Sequence, residues 1–199
     1  MCNLYRMSKS AAEVARLFKV ELMQGSNAGE YVYPGHPGWV VGQNHMKTMH
    51  WGFPLSLKGK SGQPLKPKPV NNTRSDKLAS PFWRSSFEHR RCLIPMTAFA
   101  EAEGVRGHKT RTWLSMPDHE LFTCAGIWRD SDEWGAVYSV IVTEPSEQVR
   151  KVHDRMPVVL RPEKHREWLS APPESAAKLC RPYGGEMLID RTDQPWTAH

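Results

Sequence analysis

No apolar run in this sequence approaches the length of a membrane span. The opening stretch, Met1 to Lys9, has no apolar core of the kind that a secretory signal carries, so export is not expected. Cysteine is scarce, with 4 residues at positions 2, 92, 124 and 180. None stands at C-x-x-C spacing, which argues against a zinc site and against a redox dithiol. In a reducing compartment they remain free thiols. There is no internal repeat, and no composition shift marks a linker. These absences leave one domain over 1–199, a cytoplasmic location, and neither membrane, metal nor cofactor as partner.

What is present is enough apolar material for a sizeable core. Hydrophobic residues make up 39% of 199 positions, with 8 Trp. Net charge is +6, and Lys58, Lys60, Lys66, Lys68 and Arg74 fall in one stretch, followed by Arg84, Arg90 and Arg91. Such clustering suits a polyanionic partner such as nucleic acid, and equally a solvated basic surface.

Ser10-Ala11-Ala12-Glu13 is a capping-box pattern and predicts a short helix with Val14, Leu17 and Phe18 on one face. Ser56 to Pro69, rich in Lys, Gly and Pro, predicts an exposed loop. Ser80-Pro81 predicts the start of a short helix. Strand-like runs follow at Arg91–Ile94, Thr97–Ala100, Trp113–Met116, Phe122–Trp128 and Val137–Val142, separated by turn residues. Glu144-Pro145-Ser146 leads into a helix ending near His153. A strand is then expected over Met156–Leu160 and a short helix over Pro162–Leu169. The fold expected is α+β: a single domain with a mostly antiparallel, barrel-like sheet core and short flanking helices. Cys92 and Cys124 lie in apolar runs and read as packing residues.

Cys2 stands directly behind Met1, and its small side chain permits removal of that methionine. The exposed residue would then carry an α-amine and a thiol on adjacent carbons, a pair that condenses with an aldehyde to a thiazolidine. The amine titrates at roughly 7.7–8.0 and the thiol near about 8.5, so both are poised close to neutrality. An incidental N-terminal cysteine is the plainer reading. Three internal polar residues interrupt or border apolar runs: Asn72, Glu101 and His153. Singly they read as a turn residue, a strand-end charge and a helix C-terminal cation.

Taken as an ordered set, with Trp51-Gly52, Asn72-Thr73-Arg74, the run from Arg91 to Glu101, and Val152-His153-Asp154-Arg155-Met156-Pro157-Val158-Val159-Leu160, the chain resembles the SOS-response-associated peptidase (SRAP) family. The resemblance runs from Met1-Cys2 to about Leu169. It implies covalent attachment to abasic sites in single-stranded DNA, with Cys2 as nucleophile. Asn72 would hold the reacting groups, Glu101 would move protons, and His153 would promote sugar opening or reversal. A monomer is expected, cytoplasmic and associated with the nucleoid when bound to DNA. Arg74 and Arg155 are the candidate phosphate contacts, and Trp51, Phe53 and Trp83 the candidate stacking surfaces, each with packing as its alternative. The opening Met1-Cys2-Asn3-Leu4 departs from the family's Met-Cys-Gly-Arg, so the family arginine is missing and Arg6 is its nearest substitute. Two other readings stay open: a cysteine peptidase, or an autopeptidase, using Cys2 and His153, and a non-catalytic nucleic-acid-binding module.

Overall fold

A computed structural model describes residues 2–23, 27–117 and 120–196. Its centre is a barrel of five strands closed on itself. Pro37–Val41 pairs antiparallel with His45–Trp51 and, at Val41–Leu93, with Arg91–Met96. Arg91–Met96 pairs with Phe122–Ser131, and that strand with Gly135–Thr143, again antiparallel. Closure is parallel: Val137 and Tyr138 lie against His50 and Trp51. Near-continuous runs of buried residues fill Arg91–Met96 and much of Phe122–Ser131 and Gly135–Thr143, as expected for strands lining a barrel. Cys92 and Cys124 are buried there, as packing residues.

A second sheet runs in the order Leu188–Pro195, Thr110–Ser115, Ala98–Glu103, Leu4–Arg6, Tyr31–Val32. The chain passes from barrel to second sheet through Thr97. That residue bends the path while its N–H, at 2.8 Å, and its hydroxyl, at 3.0 Å, both donate to the Arg6 carbonyl. Leu4–Arg6 pairs with Ala98–Ala100, which places the N-terminal residues beside Glu101. The α+β, barrel-like architecture with short helices is therefore the fold of this protein.

The capping box at Ser10 forms as its residue types dictate. The Ser10 side chain accepts the Glu13 N–H at 3.3 Å, and the Glu13 carboxylate accepts the Ser10 N–H at 2.9 Å. The helix Ala11–Phe18 buries Val14, whereas Leu17 points outward at 59% exposure. Met156–Leu160 is not one strand. Met156–Pro157 pairs with Gly135–Thr143 and Val159–Leu160 with Phe122–Ser131, so the segment wedges between two barrel strands where they splay. The helix after Ser146 is shorter than expected, Glu147–Arg150, and the helix after Ser80-Pro81 begins only at Arg84. Among the described residues no helix is long and apolar enough to cross a membrane.

The largest correction concerns Ser56 to Pro69. Most of this segment belongs to an antiparallel hairpin of Phe53–Lys58 and Pro64–Val70, which pairs with no other strand among the described residues. Its base is fixed. Gly52, at φ +126°, lets the chain turn out of the barrel, and an added Cβ there would lie 2.4 Å from Pro69 Cβ and 2.9 Å from its Cα. The Arg129 guanidinium sits 4.5 Å from the Phe53 ring centre and 4.9 Å from that of Phe82, and donates to the Pro54 carbonyl at 3.4 Å.

Gly52→Ala introduces both a strained φ and a clash with backbone. The expected cost is about 2 kcal/mol or more, read as a lower urea midpoint. An unchanged midpoint contradicts the tight approach of Pro69.

Candidate functional site

Three elements bring the expected residues together. Asn72 sits at the start of the short strand Asn72–Arg74, which lies parallel to Val140–Val142 on the same barrel strand that closes the sheet. A buried hydroxyl pair, Thr73 to Ser139 at 2.8 Å, pins it. Glu101 lies in the Ala98–Glu103 strand of the second sheet. His153 follows the Glu147–Arg150 helix, its N–H donating to the Val149 carbonyl at 2.9 Å.

Cys2 is buried, at 1% exposure. Its carbonyl accepts two side-chain amides, Asn72 Nδ2 at 2.7 Å and Asn71 Nδ2 at 2.9 Å. Asn71 Nδ2 also reaches Asn3 Oδ1 at 2.9 Å. The Asn71 carbonyl is itself held by the Trp51 indole N–H at 2.8 Å and the Val140 N–H at 3.0 Å. The second residue of the chain is thus clamped by two adjacent side chains, Asn71 and Asn72. Asn72 Oδ1 is buried with no hydrogen-bond partner among the described residues. A buried acceptor left in this state is costly, and an incoming hydroxyl or N–H would relieve that cost.

Glu101 is buried at 3% exposure, and one carboxylate oxygen lies 3.9 Å from His153 Nε2. Burial pushes the Glu101 carboxyl up to about 7, so near neutrality it both gives and takes a proton readily. Burial pushes the His153 ring down, favouring its neutral form. His153 Nδ1 accepts the Arg155 N–H at 3.0 Å and also lies 3.0 Å from an Asp154 carboxylate oxygen. The Arg155 N–H can donate only to an unprotonated Nδ1, and burial favours the neutral ring, which puts its proton on Nε2, facing Glu101. The Cys2 thiol donates to the Leu4 carbonyl at 3.6 Å. Burial, and then the charge of Glu101, push its pKa well up, so it rests as a thiol.

The expected DNA contacts fare differently. Trp51 and Phe53 are fully buried and Trp83 is 7% exposed, so none offers a face to a base. Trp51 packs between Tyr5 and Tyr138, and Phe53 against Trp83. Large aromatics gain most from burial, which is why packing prevails. Arg74 is half-exposed but held by Asp76 through two bonds, at 2.9 and 2.8 Å. Arg155 donates to the Asp154 carbonyl at 2.7 Å. Arg6 lies over the Trp113 ring, 5.3 Å from its centre, a packing role. The residues that sequence reasoning passed over are Asn71 and Asn3. The one available signal was that two adjacent asparagines follow Val70 while the third replaces the family's glycine at position 3. Among the described residues no three His, Cys, Asp or Glu side chains cluster as a metal site would require.

The raised Glu101 pKa has a direct consequence for stability. The fold favours the protonated carboxyl, so stability is fully present below the free value of 4.5 and is lost as pH rises through about 7. Glu101→Gln removes the titration. The variant should gain on the parent between about pH 5 and about pH 8.5, by at most about 3 kcal/mol in urea titrations. A stability difference that is flat with pH would place Glu101 in water.

Comparison with known proteins bears on the whole chain. The family model described as SOS response associated peptidase (SRAP) matches residues 1–192. Among similar proteins, abasic site processing protein YoqW of Bacillus subtilis is 25% identical over 94% of this chain and 90% of its own length. Abasic site processing protein HMCES of Xenopus tropicalis is 26% identical over 69% of this chain and 49% of its own. A crystal structure of a Bordetella bronchiseptica protein has a TM-score of 0.80 at 19% identity, covering 96% of this chain and 99% of that one. One from Bacteroides thetaiotaomicron has a TM-score of 0.78 at 20% identity, covering 96% and 91%. Matched over nearly its full length, the chain belongs to the SRAP family.

Proposed function

We propose that this chain processes abasic sites in DNA, and that it does so by capturing the lesion in single-stranded DNA covalently on Cys2 once Met1 has been removed. Its relatives carry the name abasic site processing protein. The observation that carries the finer reading is the clamp on the Cys2 carbonyl by Asn72 and Asn71, next to a buried carboxyl whose pKa is about 7.

An abasic deoxyribose exchanges with an open-chain aldehyde. The Cys2 amine adds to the aldehyde carbon to give a carbinolamine, and protonation of its hydroxyl expels water and leaves an iminium. The thiol sulfur then attacks the same carbon and releases its proton, closing a five-membered ring. The balance is one aldehyde plus one aminothiol to one thiazolidine plus one water. Protonated Glu101 suits the expulsion of water, and ionised Glu101 the removal of the thiol proton; a carboxyl near pKa 7 serves both. Neutral His153, with Nε2–H toward Glu101, is placed to exchange a proton with it or with the sugar. Asn72 Oδ1 is an acceptor for the amine or for a sugar hydroxyl. The product shields the lesion because no free aldehyde remains.

The peptidase reading has weaker support: the Cys2 thiol donates to the Leu4 carbonyl, while His153 Nε2, the base it would need, faces Glu101.

Denaturing electrophoresis tests the proposal. Protein lacking Met1 should give a heat-stable shifted band with single-stranded abasic DNA and none with intact DNA. No band with abasic DNA contradicts it. Cys2→Ser keeps the amine but not the thiol, so its product should be a Schiff base that borohydride traps and heat destroys. The same heat-stable adduct from Cys2→Ser rules out the ring.

Crosslinking rate against pH should show an ionisation near pH 7 that Glu101→Gln abolishes. The rate should fall by roughly 10²–10⁴. An unchanged profile removes Glu101 from the mechanism.

A further inference from the structure

A site for the lesion also needs a hold on the flanking strand, yet the aromatics expected to carry flanking bases are buried, and Arg74 is already held by Asp76. Single-stranded DNA needs both a cationic track for phosphates and apolar faces for bases. The Phe53–Val70 hairpin supplies both. From Phe53 to Ser75 there is no acidic residue, while Lys58, Lys60, Lys66 and Lys68 lie on the hairpin. All four are exposed, and none makes an ion pair among the described residues.

The hairpin register sorts its faces. Cα partners share a face, so Phe53 with Val70, Leu55 with Lys68, and Leu57 with Leu65 fall on one side. That face carries Phe53, Val70, Leu55, Leu57 and Leu65 from its buried root outward, with Lys68 beside Leu55, and Leu55 and Leu65 remain 39% and 44% exposed. Its last strand runs through Val70 directly into Asn71 and Asn72, which hold Cys2. The opposite face carries Pro54 against Pro69, and Lys58 against Pro64. Prolines at 54, 64, 67 and 69 cannot donate to a further strand, so the ribbon is ill suited to adding a strand from another chain. Its faces are what it can offer. Gly52, Arg129 and the Phe53–Trp83 contact fix the root, so the arm is mounted rather than loose.

We propose that this hairpin is the DNA-docking arm of the protein. Unstacked bases of the single strand flanking the lesion lie on the Leu55–Leu65 face, and Lys58, Lys60, Lys66 and Lys68 contact the neighbouring phosphates. The chemical class of partner follows from charge complementarity and from an apolar face bordered by cations. This rests on the reading of the site as one for abasic single-stranded DNA, but its test uses DNA without any lesion.

Fluorescence anisotropy with a labelled, intact oligodeoxythymidine measures reversible binding across a salt series. Changing Lys58, Lys60, Lys66 and Lys68 together to Gln should weaken binding at low salt at least tenfold. It should also lower the slope of log K against log salt by about 0.7 for each phosphate that is no longer neutralised. The four Lys→Arg changes should restore the slope. Leu55→Ser with Leu65→Ser should weaken binding severalfold at every salt concentration with the slope kept, because no charge is removed. A parental slope in the four-Gln variant overturns the lysine contacts, and parental affinity in the leucine variant overturns the base face. Tighter parental binding to an intact duplex than to the single strand also overturns the assignment. Absence of an abasic adduct would contradict the covalent reading while leaving these results standing, since the probe carries no aldehyde.

Discussion

One edge of the strand Gly135–Thr143 does two jobs in succession. Its first half, at Val137 and Tyr138, takes His50 and Trp51 as a parallel partner and so closes the barrel. Its second half, at Val140 to Val142, takes Asn72–Arg74, also parallel. Parallel partners need a connection between them, and here that connection is the hairpin. Barrel closure, hairpin root and Asn72 are therefore one constraint. The Trp51 indole links them again by donating to the Asn71 carbonyl. The opposite edge of the same strand receives Met156–Pro157, soon after His153.

The second constraint is electrostatic. A carboxyl placed at Glu101 inside the fold costs stability whenever it is charged. A purely structural position would tolerate a neutral, apolar side chain better. The cost is intelligible if the position serves proton transfer, where a pKa near the working pH is the useful property. The buried Asn72 Oδ1 is a second unfavourable group in the same place. Two such costs on residues around Cys2 are what the proposed proton transfer would require of the site.

Much of this was legible in the residues. The strand runs from Arg91 to Val142 are apolar and bounded by turn formers, so the barrel's main members announce themselves. The capping box at Ser10 formed because two side chains three apart satisfy each other's backbone N–H. The ordered set Cys2, Asn72, Glu101 and His153 lies together in the fold; singly each read as an ordinary turn, strand-end or helix-end residue, and the family resemblance is what grouped them. What was hidden has physical reasons. Lys and Pro in alternation suppress the usual strand signal, so the hairpin read as loop. Leu188–Pro195 is an edge strand with mostly exposed residues and gave no apolar pattern. Trp51, Phe53 and Trp83 could pack or stack, and only the tertiary fold decides between burial and display. Asn71 and Asn3 matter through a hydrogen bond between residues 68 positions apart, which no local pattern encodes.

The claim on which the rest turns is that Cys2 joins the lesion through both its nitrogen and its sulfur. Intact mass measurement of the adduct, after the DNA is trimmed by nuclease, addresses it directly. The proposed chemistry requires a protein mass without Met1 plus the sugar fragment less one water, with fragmentation placing the addition on Cys2 and its thiol no longer open to alkylation. An adduct that retains Met1, or one in which the Cys2 thiol still alkylates, would contradict it.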